Sequence, residues 1–152
     1  MKTSILIVSY ERDFDWLKWA VRSIARFATG FHEVKILIPA DANWKVSMDI
    51  TKEYNGSIPI SLHVFEEWPG QGFSHHMDRI MHADEICPDA DLILHMDSDC
   101  HFIHPVTPED YIINGKPVLL HASYEWAVEA YRNANYYYWK VAVELAIGGS
   151  SE

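Results

Sequence analysis

Two aspartates, Asp97 and Asp99, follow directly after the apolar run Leu92 to Met96. Residues two apart in an extended chain face the same way, so the two carboxylates are expected to converge on one point. A hard cation would relieve their repulsion, and oxygen ligands suit Mg²⁺ or Mn²⁺ better than Zn²⁺. The spacing therefore predicts a divalent-metal site at this pair, and the alternative is a solvated acidic turn.

The apolar run before the pair predicts a buried strand over residues 91–96. This strand would deliver both carboxylates to its carboxyl end, which is where open parallel sheets bind their ligands. A metal at that edge also suits a ligand that carries a diphosphate. The position of the pair thus favours a binding site over a chance acidic triplet.

Strand and helix patterns alternate along the rest of the chain. Apolar and β-branched runs predict strands at 4–10, 34–38, 60–65, 91–96 and 116–122. Apolar spacings of three and four, with capping and stop signals, predict helices at 16–28, 43–54, 74–85 and 125–147. This alternation is typical of an α/β domain with a mostly parallel central sheet flanked by helices.

Composition narrows the class of protein further. The 152 residues are 49% hydrophobic, which suits a single domain over residues 1–152, and the formal net charge of -10 argues against nucleic acid as a partner. Cys87 and Cys100 form no CxxC pair, so a reducing, cytoplasmic compartment is expected. No apolar run approaches the roughly 18 residues of a membrane span.

The run Leu94-His95-Met96-Asp97-Ser98-Asp99 resembles the DxD motif of glycosyltransferases with the GT-A fold. The first predicted strand and the order of elements are also similar, and the segments 72–79 and 116–120 resemble a bacterial and phage branch of uncharacterised GT-A-like proteins. The resemblance implies a single Rossmann-like GT-A domain that binds a nucleotide-diphosphate sugar, above all a UDP-sugar. It also implies Mn²⁺ or Mg²⁺ as the cofactor and sugar transfer to an acceptor that the sequence does not identify.

The same resemblance assigns roles to individual residues. Asp99 would ligate the metal that bridges the diphosphate, and Asp97 would contact the ribose or share the metal. Asp41 would address the base and Arg79 the diphosphate. The full set of residues implied to line the nucleotide is Ser9, Tyr10, Arg12, Asp41, Arg79 and Asp97.

Structural roles are the alternative for three of these side chains. Arg12 would then be a solvated loop charge and Tyr10 a half-buried packing ring. Arg79 would be an ion-pair partner of Asp78 or Glu85 on its own predicted helix.

Sugar transfer requires that the growing charge of the leaving group be neutralised, which a metal held by two carboxylates does without proton transfer. An inverting enzyme also needs a base near the acceptor hydroxyl. His121 and Glu125, beyond the predicted fifth strand, are the candidate catalytic residues. His101 and His104 follow the acid pair closely enough to add a metal ligand, although a hydrogen-bonded structural role is the alternative for every one of these histidines.

Three further alternatives remain at this point. Because GT-A enzymes usually extend well beyond this length, the acceptor part is expected to be reduced or missing, or to be completed by a second subunit of a homo-oligomer. The chain could instead be a non-catalytic module that binds a nucleotide sugar. A haloacid-dehalogenase-like phosphatase, with Asp97 as its nucleophile, is the rival enzyme class.

Overall fold

A computed structural model of the chain describes residues 1–66, 72–118 and 126. The chain divides into two compact units, Met1–Pro117 and Val118–Glu152. In the second unit only Val118 and Trp126 are described, and Trp126 is helical and exposed. The long helix predicted over 125–147 therefore lies outside the described residues apart from Trp126, and the single domain over residues 1–152 stays a prediction.

Four parallel strands form the central sheet of the first unit. They are β1 (Thr3–Val8), β2 (Val34–Pro39), β3 (Ile60–Phe65) and β4 (Leu92–His95), in the order β3-β2-β1-β4. Ile5 of β1 lies opposite Val34 on one side and Leu94 on the other. The predicted α/β fold with a parallel sheet is confirmed, and the strand order is Rossmann-like.

Helices connect these strands at the predicted places. They are α1 (Phe14–Phe27), α2 (Trp44–Lys52), α3 (Gly72–Met81) and α4 (Ala83–Ile86). The side chain of Asn43 accepts a hydrogen bond from the Val46 backbone N–H and so caps α2. The helix predicted over 74–85 is divided at His82, whose backbone leaves helical geometry while its ring contacts Glu85 at 3.0 Å.

Alternate residues of β1 pack into two different cores. Ile5 and Ile7 belong to the core on the side of α1 and α2, whereas Leu6 and Val8 pack with residues from the region of α4. Helices therefore cover both faces of the sheet, which explains why β1 is a continuous apolar run instead of an alternating one. By contrast, β4 is only half buried because it is the edge strand of the sheet in the described part of the chain, so the predicted buried strand is only partly correct.

A small hairpin follows the central sheet. Strand β5 (Ile112–Ile113) pairs antiparallel with β6 (Lys116–Pro117) in a separate two-stranded sheet. Asn114 and Gly115 form the turn, and both have positive φ angles, of 54° and 74°, as a tight hairpin turn requires. The first residues of the strand predicted over 116–122 are thus in this hairpin, and 119–122 lie outside the described residues.

The state of the cysteines and the apolar content of the helices complete the description. Cys87 and Cys100 are both free thiols. Within the described part of the chain, no helix has the length and apolar content that crossing a membrane requires.

Candidate functional site

A cleft of about 320 Å³ lies at the carboxyl ends of β1 and β4. The chain runs outward from β1 to β2 and β3 and then returns to the other side of β1 for β4. The gap between β1 and β4 is therefore the topological switch point, where sheets of this kind bind their ligands. We call this the acidic cleft, and the residues that line it are Val8, Tyr10, Arg12, Asp13, His76, Asp97, Ser98 and Asp99.

Asp97 and Asp99 are brought together by a turn and not by an extended strand. Strand β4 ends at His95, and the Cys100 backbone N–H donates to the Asp97 carbonyl oxygen at 3.0 Å, which closes the turn. One ligand atom from each of Asp97, Asp99 and Cys100 lies within 4.8 Å of the others, and all three residues are exposed. A single ion placed between two of these atoms would therefore lie from each of them at a metal–oxygen distance of roughly 2.0–2.6 Å.

The donor set at this turn suits a hard cation. Partial burial raises the pKa of the Cys100 thiol, and the carboxylates of Asp99 and Asp97 raise it further. The thiol sulfur is a soft donor, whereas the two carboxylates offer hard oxygen donors. Oxygen donors of this kind suit Mn²⁺ or Mg²⁺ better than a soft thiophilic ion. Within the part of the chain that the structure describes, neither His101 nor His104 joins this group of possible ligands.

His76 is a cleft residue that the sequence did not single out. Its Nε2 lies 3.6 Å from Asp97 Oδ1, so the two form an ion pair when the imidazole is protonated. Partial burial lowers the pKa of the neighbouring His95, and His76 lowers it further, while Asp97 raises it. His76 lies one helical turn before Arg79, the residue of the same helix that is expected from the sequence to face the diphosphate.

Tyr10 and Arg12 both line the acidic cleft, as the predicted nucleotide site requires. The half-buried ring of Tyr10 packs edge-on against Phe65, with the ring centroids 6.2 Å apart and the planes at 80°. The side chain of Arg12 is 84% exposed, and its Nε lies 3.5 Å from Asp13 Oδ2. Tyr10 is thus held in place, whereas the Arg12 guanidinium can reach a ligand.

Ser9, which follows β1 directly, is completely buried, although it was expected to line the nucleotide. Its Oγ has no hydrogen-bond partner among the described residues, and Thr3 Oγ1, near the other end of the same strand, has none either. A buried hydroxyl without a partner usually costs about 1–3 kcal/mol. Such a cost is explained if Ser9 bonds to a ligand after a rotation of its side chain.

Ser9→Ala is therefore expected to raise the free energy of unfolding of the ligand-free protein by about 1 kcal/mol, because it removes an unpaired hydroxyl. The same substitution should reduce the stabilisation by Mn²⁺ and UDP if Ser9 contacts the nucleotide. Urea unfolding with and without both ligands measures the two effects.

Thr3→Val is the matched control for Ser9→Ala, because it removes a similar unpaired hydroxyl about 20 Å away along the strand. It should stabilise the ligand-free protein and leave the response to ligand unchanged. An equal ligand response in both variants would remove Ser9 from the nucleotide site.

Asp41 and Arg79 do not line the acidic cleft. Asp41 is exposed in the turn after β2. Arg79 donates a hydrogen bond to the Glu66 carbonyl oxygen at 3.1 Å, and its guanidinium lies 4.8 Å from the centroid of the Phe65 ring. Its Nε also lies 3.8 Å from Asp78, the partner named by the structural alternative. The nucleotide roles of Asp41 and Arg79 stay predictions.

The two candidate catalytic residues, His121 and Glu125, lie outside the described residues. The identity of a base that would serve an acceptor hydroxyl therefore also stays a prediction.

No protein-family model matches this sequence, and a search of curated proteins finds no match either. A functional conclusion therefore rests on the fold and on the chemistry of the acidic cleft.

Proposed function

We propose that this chain is a metal-dependent glycosyltransferase that transfers a sugar from a nucleotide-diphosphate donor, with a UDP-sugar favoured, to an acceptor hydroxyl. The observation that carries the proposal is the position of the acid pair. Asp97 and Asp99 are exposed to a cleft at the switch point of a Rossmann-like sheet, where nucleotides bind in folds of this kind.

Charge explains why a metal belongs to this proposal. The chain has a formal net charge of -10, and three of the residues that line the acidic cleft are aspartates. A diphosphate would be repelled by those carboxylates, so its binding requires a cation between the two sets of oxygens. The proposed donor site should therefore be empty of nucleotide whenever the divalent metal is withheld.

Asp99 and Asp97 would hold Mn²⁺ or Mg²⁺, and Asp97 could also contact the ribose. A divalent ion bound there neutralises the charge that grows on the leaving nucleotide diphosphate. The two carboxylates need no proton transfer for this role, which is consistent with their exposure at the cleft. The turn closed by the Cys100 N–H fixes the backbone that carries both side chains.

Tyr10 and Arg12 would position the donor. The Tyr10 ring, supported by Phe65, offers a flat surface against which a base or ribose can pack. Arg12 carries an exposed guanidinium whose N–H groups match the geometry of phosphate oxygens. Asp13 Oδ2 lies 3.5 Å from the Arg12 Nε and forms an exposed ion pair with it.

Thermal unfolding of the full chain with UDP, GDP, CDP and ADP, each with and without Mn²⁺, tests the donor site. A ligand that binds only the folded state raises the melting temperature by mass action. We expect stabilisation only when nucleotide and Mn²⁺ are both present, and most strongly with UDP. If no nucleotide stabilises the protein in a metal-dependent way, the proposal fails.

Release of nucleotide diphosphate from a panel of UDP-sugars separates transfer from mere binding. Slow release with one donor, at equal protein and metal concentrations, supports a glycosyltransferase. Metal-dependent UDP binding without any release would identify a non-catalytic nucleotide-sugar module. Hydrolysis of p-nitrophenyl phosphate through an acyl phosphate on Asp97 would instead identify a phosphatase.

A further inference from the structure

A second concavity, of about 360 Å³, lies along the outer side of α1. We call it the aromatic groove. Trp16 and Trp19 on α1 are 57% and 59% exposed, which is unusual for side chains with this much apolar surface. The residues that line the groove are Trp16, Trp19, Arg22, Ser23, Arg26, Phe27, His101 and Phe102.

Hydrogen bonds within the protein hold the groove in shape. The Phe102 backbone N–H donates to Ser23 Oγ at 3.0 Å, and the Ser23 hydroxyl in turn donates to the Ala20 carbonyl oxygen at 2.7 Å. These bonds fasten the loop after the acid pair to α1. The half-buried ring of Phe102 also packs against the core on this face of the sheet. A ligand would therefore find the groove preformed, which lowers the entropy lost on binding.

The groove is positively charged in an otherwise acidic protein. Among the residues that the structure describes, no acidic side chain lines it, although the chain carries a formal net charge of -10. The guanidinium of Arg22 lies 5.1 Å from the centroid of the Trp19 ring, and that of Arg26 lies 5.0 Å from the centroid of Phe27. Glu53 pairs with Arg22 at 3.2 Å, whereas no carboxylate in the described ranges pairs with Arg26.

We propose that the aromatic groove binds an acidic oligosaccharide, a sugar chain that carries carboxylate groups, as the acceptor of the transfer reaction. Broad exposed tryptophan faces can stack on the apolar faces of pyranose rings, and each indole N–H keeps a polar contact available. The guanidinium of Arg26 would pair with a sugar carboxylate. The acceptor role rests on the proposed transfer function, whereas the binding itself does not.

The groove and the acidic cleft are built from the same two segments of chain. Asp99 lines the cleft and His101 the groove, and two residues span at most about 7 Å. Asp13 of the cleft and Trp16 of the groove are likewise three residues apart, which is about 4.5 Å along a helix. A saccharide in the groove could therefore present a terminal hydroxyl next to a donor in the cleft.

Titration of the full chain with hexagalacturonate and with neutral cellohexaose, without metal or nucleotide, tests the binding. Calorimetry and quenching of tryptophan fluorescence measure the affinities. We expect the acidic hexasaccharide to bind at least 10-fold more tightly than the neutral one. Trp19→Ala should weaken its binding at least 10-fold, and Arg26→Gln should remove most of the preference for the acidic sugar.

Trp44→Ala is the matched control, since Trp44 is also an exposed tryptophan, at 43%, but lies on α2 outside the groove. It should bind both saccharides like the unmodified chain. Thermal unfolding of each variant verifies its fold, and Arg26→Gln provides a test at a charged side chain if Trp19→Ala does not fold. Equal binding of acidic and neutral sugars, or no effect of Trp19→Ala, would overturn the proposal.

Three outcomes separate this proposal from others. If Trp19→Ala converts a dimer into a monomer in sedimentation and no saccharide binds, the groove is an interface between copies of the chain, and the proposal fails. If saccharide binding is absent while UDP binds with Mn²⁺, the groove proposal fails and the donor site stands. If saccharide binds while no nucleotide does, groove binding stands and the transfer function fails.

Discussion

Asp99→Asn is expected to lower the Mn²⁺-dependent affinity for UDP at least about 100-fold, equivalent to roughly 2.7 kcal/mol. Asn offers no negative charge to the cation, and the remaining carboxylate of the turn cannot hold the metal and the diphosphate together. UDP and Mn²⁺ at about 100 times the dissociation constant should stabilise the unmodified chain by roughly 2.7 kcal/mol. The variant should show almost no thermal shift at the same concentrations. Asp97→Asn should have a smaller effect, because the proposed role of Asp97 is shared between metal and ribose.

Asp89→Asn is the control for this loss, because Asp89 is exposed in the turn before β4, at the opposite end of the strand from Asp97. It removes the same charge and should leave UDP binding unchanged. In the absence of ligand, Asp99→Asn should be at least as stable as the unmodified chain, since it removes a repulsion between neighbouring carboxylates. Unchanged UDP affinity in Asp99→Asn would mean that the pair is only a solvated acidic turn.

The central sheet could be predicted because its strands carry their signal locally. The runs that became β2 and β3 are short and rich in β-branched residues, and each has a proline at one end, Pro39 and Pro59. Their predicted bounds agree with the structure to within one residue. The alternation of such runs with amphipathic helices leaves few topologies other than a parallel sheet. The prediction that Asp97 follows the carboxyl end of a strand in a parallel sheet is therefore confirmed, and this is the part of the site that depends on topology alone.

The geometry within the site could not be predicted in the same way. The expectation for Asp97 and Asp99 assumed an extended chain, whereas a turn brings the carboxylates together. The hairpin at Asn114-Gly115 had a recognisable signal, because Asn-Gly favours the positive φ angles of a tight turn. For His76 the sequence carries no signal beyond its place in a predicted helix. Its contact with Asp97 joins residues 21 positions apart, which only the folded chain brings together.

The aromatic groove likewise combines a helix that the local sequence predicts with a contact between distant segments that it does not. Apolar residues spaced by three and four, Leu17, Ala20, Val21 and Ile24, form the buried side of α1, whereas Trp16 and Trp19 are exposed. The groove forms only because Phe102, far along the chain, is fastened to Ser23. A helix pattern can indicate which residues face outward, but it cannot indicate which distant loop lies beside them.

Leu17→Ala is expected to lower the free energy of unfolding by about 3 kcal/mol, within the range of roughly 2–5 kcal/mol for such changes. Leu17 is 0% exposed in the core between α1 and the sheet, so its truncation leaves a cavity that the rigid strands cannot fill. Urea unfolding measures the change.

Met81→Ala is the control, because it removes a side chain of similar size that is 78% exposed, and its cost should stay below about 0.5 kcal/mol. A total stability of about 5–15 kcal/mol makes the loss at Leu17 a large fraction of what holds the fold together. Helix α1 follows Asp13 of the acidic cleft and carries Trp16 of the aromatic groove, so both sites depend on how firmly α1 packs. Equal costs for the two substitutions would mean that α1 does not pack on the sheet, and neither site would then have a rigid support.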